Sequence, residues 1–166
     1  MNLQIDDDDR PAPHGGKVAT ATRIVYVQEG EGCPSSEGFV IDLAAHTFAC
    51  EYTDDCDRPD PAYIAAKPLP CKLPPAEWQR LLVLLGRADI DGWKDEYCDP
   101  GVCDGTQWRL SLYEGERETR RIEGDNDWPE GWRVYMSEII ELCGEVIGLP
   151  DIYFGGLSLC EEDDDE

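Results

Sequence analysis

The chain has 166 residues, 41% of them hydrophobic, and carries 37 acidic against 14 basic side chains for a net charge of -23. That length holds one domain with one sizeable core. The charge disfavours nucleic acid phosphates and anionic membranes as partners, because both need Lys and Arg for neutralisation. It favours basic partners and divalent cations instead.

Acidic runs at Asp6–Asp9 and Glu161–Glu166 supply part of the excess, and without them acids still outnumber bases. The first residues show no basic segment followed by an apolar run. No stretch approaches the roughly 18 apolar residues of a membrane helix. The expectation is a cytoplasmic protein with reduced thiols. Eight cysteines (Cys33, Cys50, Cys56, Cys71, Cys98, Cys103, Cys143 and Cys160) are many for that compartment.

Residues 1–21 read as a flexible acidic arm, since Pro11-Ala-Pro-His-Gly-Gly16 follows the Asp run without periodicity. A single domain is expected over 22–157, with an acidic tail over 158–166. Ile24-Val-Tyr-Val27 is β-branched and aromatic and predicts a first strand. A Gly-rich loop over 29–38 ends it. Phe39–Leu43 and Thr47–Thr53 predict two more strands around a tight turn at Ala44–His46. Residues 54–74 hold five prolines and many acids, so they predict a long surface loop.

Pro75 opens a first helix at the position where its missing N–H does no harm. Trp78, Leu81, Leu82 and Leu85 predict its apolar stripe, and Gly86 is expected near its C-terminal end. Trp93–Tyr97 reads as extended or as a short turn. Thr106–Tyr113 alternates, with Trp108, Leu110 and Leu112 on one side and Gln107, Arg109 and Ser111 on the other. Glu114-Gly-Glu116 turns the chain and Arg117–Ile122 returns it. Asn126 or Asp127 is the expected cap of a second helix, with Pro129 in its first turn. Trp132, Tyr135, Met136, Ile139, Ile140, Cys143, Val146 and Ile147 keep helical spacing, and Gly148-Leu-Pro150 stops it. The elements together predict an α+β fold: an antiparallel β-sheet with two main helices packed on one face.

The segments Trp93-Lys-Asp-Glu-Tyr97, Asp104-Gly-Thr-Gln-Trp-Arg-Leu110 and Gly124-Asp-Asn-Asp-Trp-Pro-Glu-Gly-Trp132 follow one another in the middle of the chain. In this order they resemble a W-x-x-x-Y, D-G-x-x-W-x-L and G-x-N-x-x-P pattern of small bacterial proteins without an assigned activity. Some of these look like partners encoded beside bacterial toxins. The resemblance covers about a third of the chain and implies a shared core with an immunity-like role. Two features depart from the pattern: Asp125 replaces a small Ser, and Cys98-Asp-Pro-Gly-Val-Cys103 is an insertion.

Few constellations carry chemistry. Cys98-x4-Cys103 has Pro100-Gly101 for a turn, and Cys50-x5-Cys56 is looser than the two to four intervening residues usual in zinc hairpins. Together Cys50, Cys56, Cys98 and Cys103 form a candidate zinc set, with a Cys98–Cys103 disulfide as the oxidised alternative. Cys143 falls on a helix stripe and reads as a small buried hydrophobe.

His14 and His46 are the only histidines, and no nucleophile elbow or zinc-protease signature accompanies them. No enzyme is therefore expected. Arg109, Arg117, Arg120 and Arg121 gather on the hairpin and read as cross-strand partners of Glu116, Glu118 and Glu123.

The sequence thus points to an acidic, cytoplasmic protein-binding domain that neutralises a basic partner such as a toxin, without a cofactor. The candidate contact face comprises Asp54, Asp55, Asp57 and Asp60 with Asp95, Glu96 and Asp99. A zinc-bound structural domain and a nucleic-acid-mimicking inhibitor are the alternatives.

Overall fold

A computed structural model describes residues 15–30, 35–54, 70–101 and 105–147. Among these residues it shows an α+β fold with a seven-stranded sheet and two α-helices. The strands are β1 (Arg23–Gly30), β2 (Ser35–Asp42), β3 (Thr47–Asp54), β4 (Cys71–Lys72), β5 (Glu96–Cys98), β6 (Thr106–Glu114) and β7 (Arg117–Asp125). Helix α1 spans Pro75–Ala88 and α2 spans Trp132–Ile147. The strand order is β4-β3-β2-β1-β6-β7-β5. Five of the six pairings are antiparallel. The sixth, β5 with β7, is parallel, so the all-antiparallel expectation is corrected at that edge.

Alternation along the strands builds two different faces. On the inner face, Phe39, Tyr26, Leu110 and Ile122 align across β2, β1, β6 and β7, all nearly inaccessible. A second row runs Ile41, Ile24, Leu112 and ends at Arg120. These residues share one buried cluster with Trp78, Leu81, Leu84, Leu85 and Ala88 of α1 and with Trp132, Met136, Ile139 and Leu142 of α2. Trp132 is the hub, with ring centroids 5.4 Å from Tyr26, 5.3 Å from Trp93 and 4.6 Å from Trp108.

Trp78, Leu81 and Leu85 of the expected α1 stripe are buried. Leu84 and Ala88 turn inward, while Leu82 stays 40% exposed. Gly86 lies near the C-terminal end, as expected, two residues before the last helical residue, and the helix ends on Asp89 in a left-handed conformation (φ 50°). Order is also present before Arg23. Residues 18–20 form a 3-10 turn, and the Val18 N–H donates to Asp91 Oδ1 at 2.9 Å. Within the expected loop over 54–74, Asp54 belongs to β3 and Cys71–Lys72 pair with its first residues as β4. The rest of that loop, from 55 to 69, lies outside the described residues, as does the arm up to 14 and the chain after 147.

Neither expected cap serves α2. Asn126 takes φ 56° and its Oδ1 accepts the Thr106 N–H at 2.7 Å, clamping the start of β6 to the end of β7. Gly105 is required beside it, because a Cβ there would sit 1.5 Å from Asn126 Oδ1. The Asp127 carboxylate accepts from Trp128, and its backbone carbonyl accepts the Trp108 indole N–H at 2.9 Å. Pro129 precedes the helix rather than lying in its first turn, with its carbonyl accepting from Trp132 N–H at 3.1 Å.

Candidate functional site

The sequence-derived acidic face divides once the chain is folded. Asp54 ends β3, paired with Ser35, and Asp55, Asp57 and Asp60 lie outside the described residues. Glu96 and Asp99 are exposed on and just after β5. Asp95 is structural. Its side chain is 16% exposed and its Oδ1 accepts Arg120 Nε at 3.1 Å.

Arg120, expected to pair across the hairpin, is instead drawn into the core side of the sheet. It is 1% exposed on the inner face, donating to the Ile90 carbonyl at 2.9 Å and to the Trp93 carbonyl as well as to Asp95. The guanidinium's fixed fork reaches three acceptors on one segment at once. Arg120 thereby ties the segment from Ile90 to Asp95 to β7. The Asp95 carbonyl then accepts the Glu123 N–H at 2.9 Å, which positions β5 alongside β7.

The outer face places the remaining charges in rows. Val27, Arg109, Glu123 and Glu96 are register neighbours across β1, β6, β7 and β5. Gln107, Asp125 and Cys98 form the next row. These residues, with Tyr97, Trp108 and Gly124, line a concavity of about 420 Å3. Behind it, on the inner face, Trp108 lies across Gly124, where a Cβ would come within 1.9 Å of the indole nitrogen, and Tyr97 lies 6.0 Å from Trp108 between centroids. Three carboxylates (Glu96, Glu123 and Asp125) and one guanidinium (Arg109) line the space. Asp99 adjoins it, its N–H bonded to the Asp125 carbonyl at 3.0 Å. Glu123 and Asp125 line the concavity but were not among the acidic residues singled out in the sequence. Their alternation with inward-facing Ile122 and Gly124 is the signal that marks them as outward neighbours.

Farther along the same face, Arg121 and Glu118 form a two-pronged ion pair at 2.9 and 2.6 Å. Partial burial pushes the Glu118 carboxyl up, but hydrogen bonds from Arg121 and Ser111 and the charges of Arg121 and Arg109 outweigh it. The carboxyl is held below the ordinary Glu value. Arg121 is correspondingly raised, chiefly by its hydrogen bond to Glu118. Arg23 lies 4.4 Å from the Tyr113 ring centre as a cation–π contact.

The candidate zinc set is not assembled among the described residues. Cys50 is on β3, opposite Phe39, and Cys98 is on β5, opposite Asp125. Five strand steps separate β3 from β5, roughly 24 Å along the sheet at about 4.8 Å per step. A tetrathiolate needs every sulfur about 2.3 Å from one ion. Cys56 and Cys103 lie outside the described residues, and the Cys98 thiol is free and exposed. Among the described residues no three His, Cys, Asp or Glu side chains form a metal-holding group, and no helix is long and apolar enough to cross a membrane.

No family model matches the chain, and neither the curated proteins nor the solved structures contain a match to it.

Proposed function

We propose that the chain is an acidic binding module, acting in the cytoplasm, that holds a basic protein partner against the outer face of its sheet, as a toxin-neutralising protein would. In this reading both helices cover the inner face, and the outer face is left for contact. The observation that supports it is the concavity at the β5 edge. Glu96 and Glu123 stand side by side in register, and Asp125 is one row along. The net charge of -23 adds long-range steering of a cationic partner. Arg23, Arg109 and Arg121 interrupt the carboxylates of this face, which suits a protein surface better than a phosphate-like run of charge.

The test is a pull-down with wild-type chain and a Glu96→Lys/Asp125→Lys variant as parallel baits, followed by titration with the purified partner. The reading expects a basic protein held by the wild type, lost by the variant, and released as salt rises. Recovery of the same proteins by both baits, or of none by either, refutes it.

A further inference from the structure

A second groove lies between α1, the β2–β3 turn and the 3-10 turn at Val18–Thr20, and it shares no lining residue with the acidic concavity. It measures about 500 Å3 and is walled by Val18, Leu43, Leu82, Leu85 and Ile90. Leu82, 40% exposed, is an apolar side chain that the core does not use. At the groove's side the His46 ring lies nearly parallel on Trp78, 4.2 Å between centroids and 13° between planes. His46 keeps φ 58°, a conformation cheapest for Gly or Asn. A glycine would close the turn equally well but would lack the stacked ring.

The charged residues lining this groove are Asp89 and Asp91, with no Lys or Arg among the described lining. Asp91 is held in place by the bond from Val18 N–H at 2.9 Å. The groove therefore combines an apolar wall with carboxylates of one sign.

We propose that this groove docks a short segment of a partner in which a bulky apolar side chain is flanked by Lys or Arg. The apolar group seats against Leu82 and the His46–Trp78 stack, and the cation meets Asp89 and Asp91. Burying one such side chain is the main attraction, and the charge complementarity selects a basic over an acidic flank. The inference goes beyond the reading above, because it concerns a different surface with a different recognition element.

The probe is an octapeptide of alternating Lys and Phe, titrated into the full chain while backbone amide signals are followed by NMR. Saturable shifts are expected at His46, Leu82, Asp89 and Asp91. Peptides with Phe replaced by Ser, or Lys by Glu, should bind about tenfold more weakly or worse. Leu82→Lys, on an exposed helix position, should weaken binding of the Lys/Phe peptide about tenfold, and His46→Gly should do the same without loss of fold. The proposal is overturned if shifts fall only around Glu96, Glu123 and Asp125, if all three peptides bind alike, or if both variants bind as the wild type does. A failure there leaves the acidic concavity to be judged by its own charge-reversal test.

Discussion

Arg120 and Arg121 are neighbours in sequence and opposites in physics. Arg121 points to the outer face, 24% exposed, and pairs with Glu118 three residues away on its own strand. Arg120 points inward at 1% exposure and reaches Asp95, Ile90 and Trp93, residues 25 to 30 positions distant. The pleat of one strand therefore separates a charge that ties in a distant segment from one that pairs locally on the outer face. Composition does not distinguish the two; only the face does.

This contrast can be broken most severely at Arg120. Arg120→Ala leaves Asp95 partly buried without its guanidinium and removes the side-chain donor to the Trp93 carbonyl, so it should cost about 3–5 kcal/mol, read as a drop in the urea midpoint. Gly124→Ala should cost less, about 1–3 kcal/mol, because its methyl would displace the Trp108 indole from the position that bonds Asp127. Near-ultraviolet circular dichroism should report the displaced indole. Arg121→Ala should cost only about 0.2–1 kcal/mol, and a double-mutant cycle with Glu118 would measure the coupling.

The smallest effect is one of pH. Because the folded Glu118 carboxyl lies below its ordinary value of 4.5, its contribution is fully present above that value and is lost as pH falls through the folded one. The stability difference between wild type and Glu118→Gln should therefore narrow on acidification. A constant difference down to acid denaturation would show that the pair does not stabilise the carboxylate.

Much of this organisation was legible in the chain. The hairpin over 106–125 and both helices follow from period-two and period-3.6 patterns. The run Leu81-Leu-Val-Leu-Leu85 is apolar on every side, so periodicity could not say that Leu82 is left out and Leu84 taken in. Arg120 was misread because a cluster of arginines among glutamates looks solvated. Counting back by two from Ile122 puts it on the inner face, but the bulge between β6 and β7 near Thr119 breaks that count toward the turn. The parallel β5–β7 pairing depends on a tether from a distant arginine, and no local pattern encodes that. The lining of the concavity was half legible: Glu96 could be picked out from the acidic run at 95–99, whereas Glu123 and Asp125 come beside it only through the β-sheet register.

The central claim is that outer-face charges serve contact while inner-face charges serve stability. Its most direct test measures urea unfolding and partner affinity together on Glu96→Lys/Asp125→Lys. The account predicts an unfolding midpoint close to wild type and binding weakened by about tenfold or more. A midpoint that falls as far as that of Arg120→Ala, or an affinity left unchanged, would contradict it.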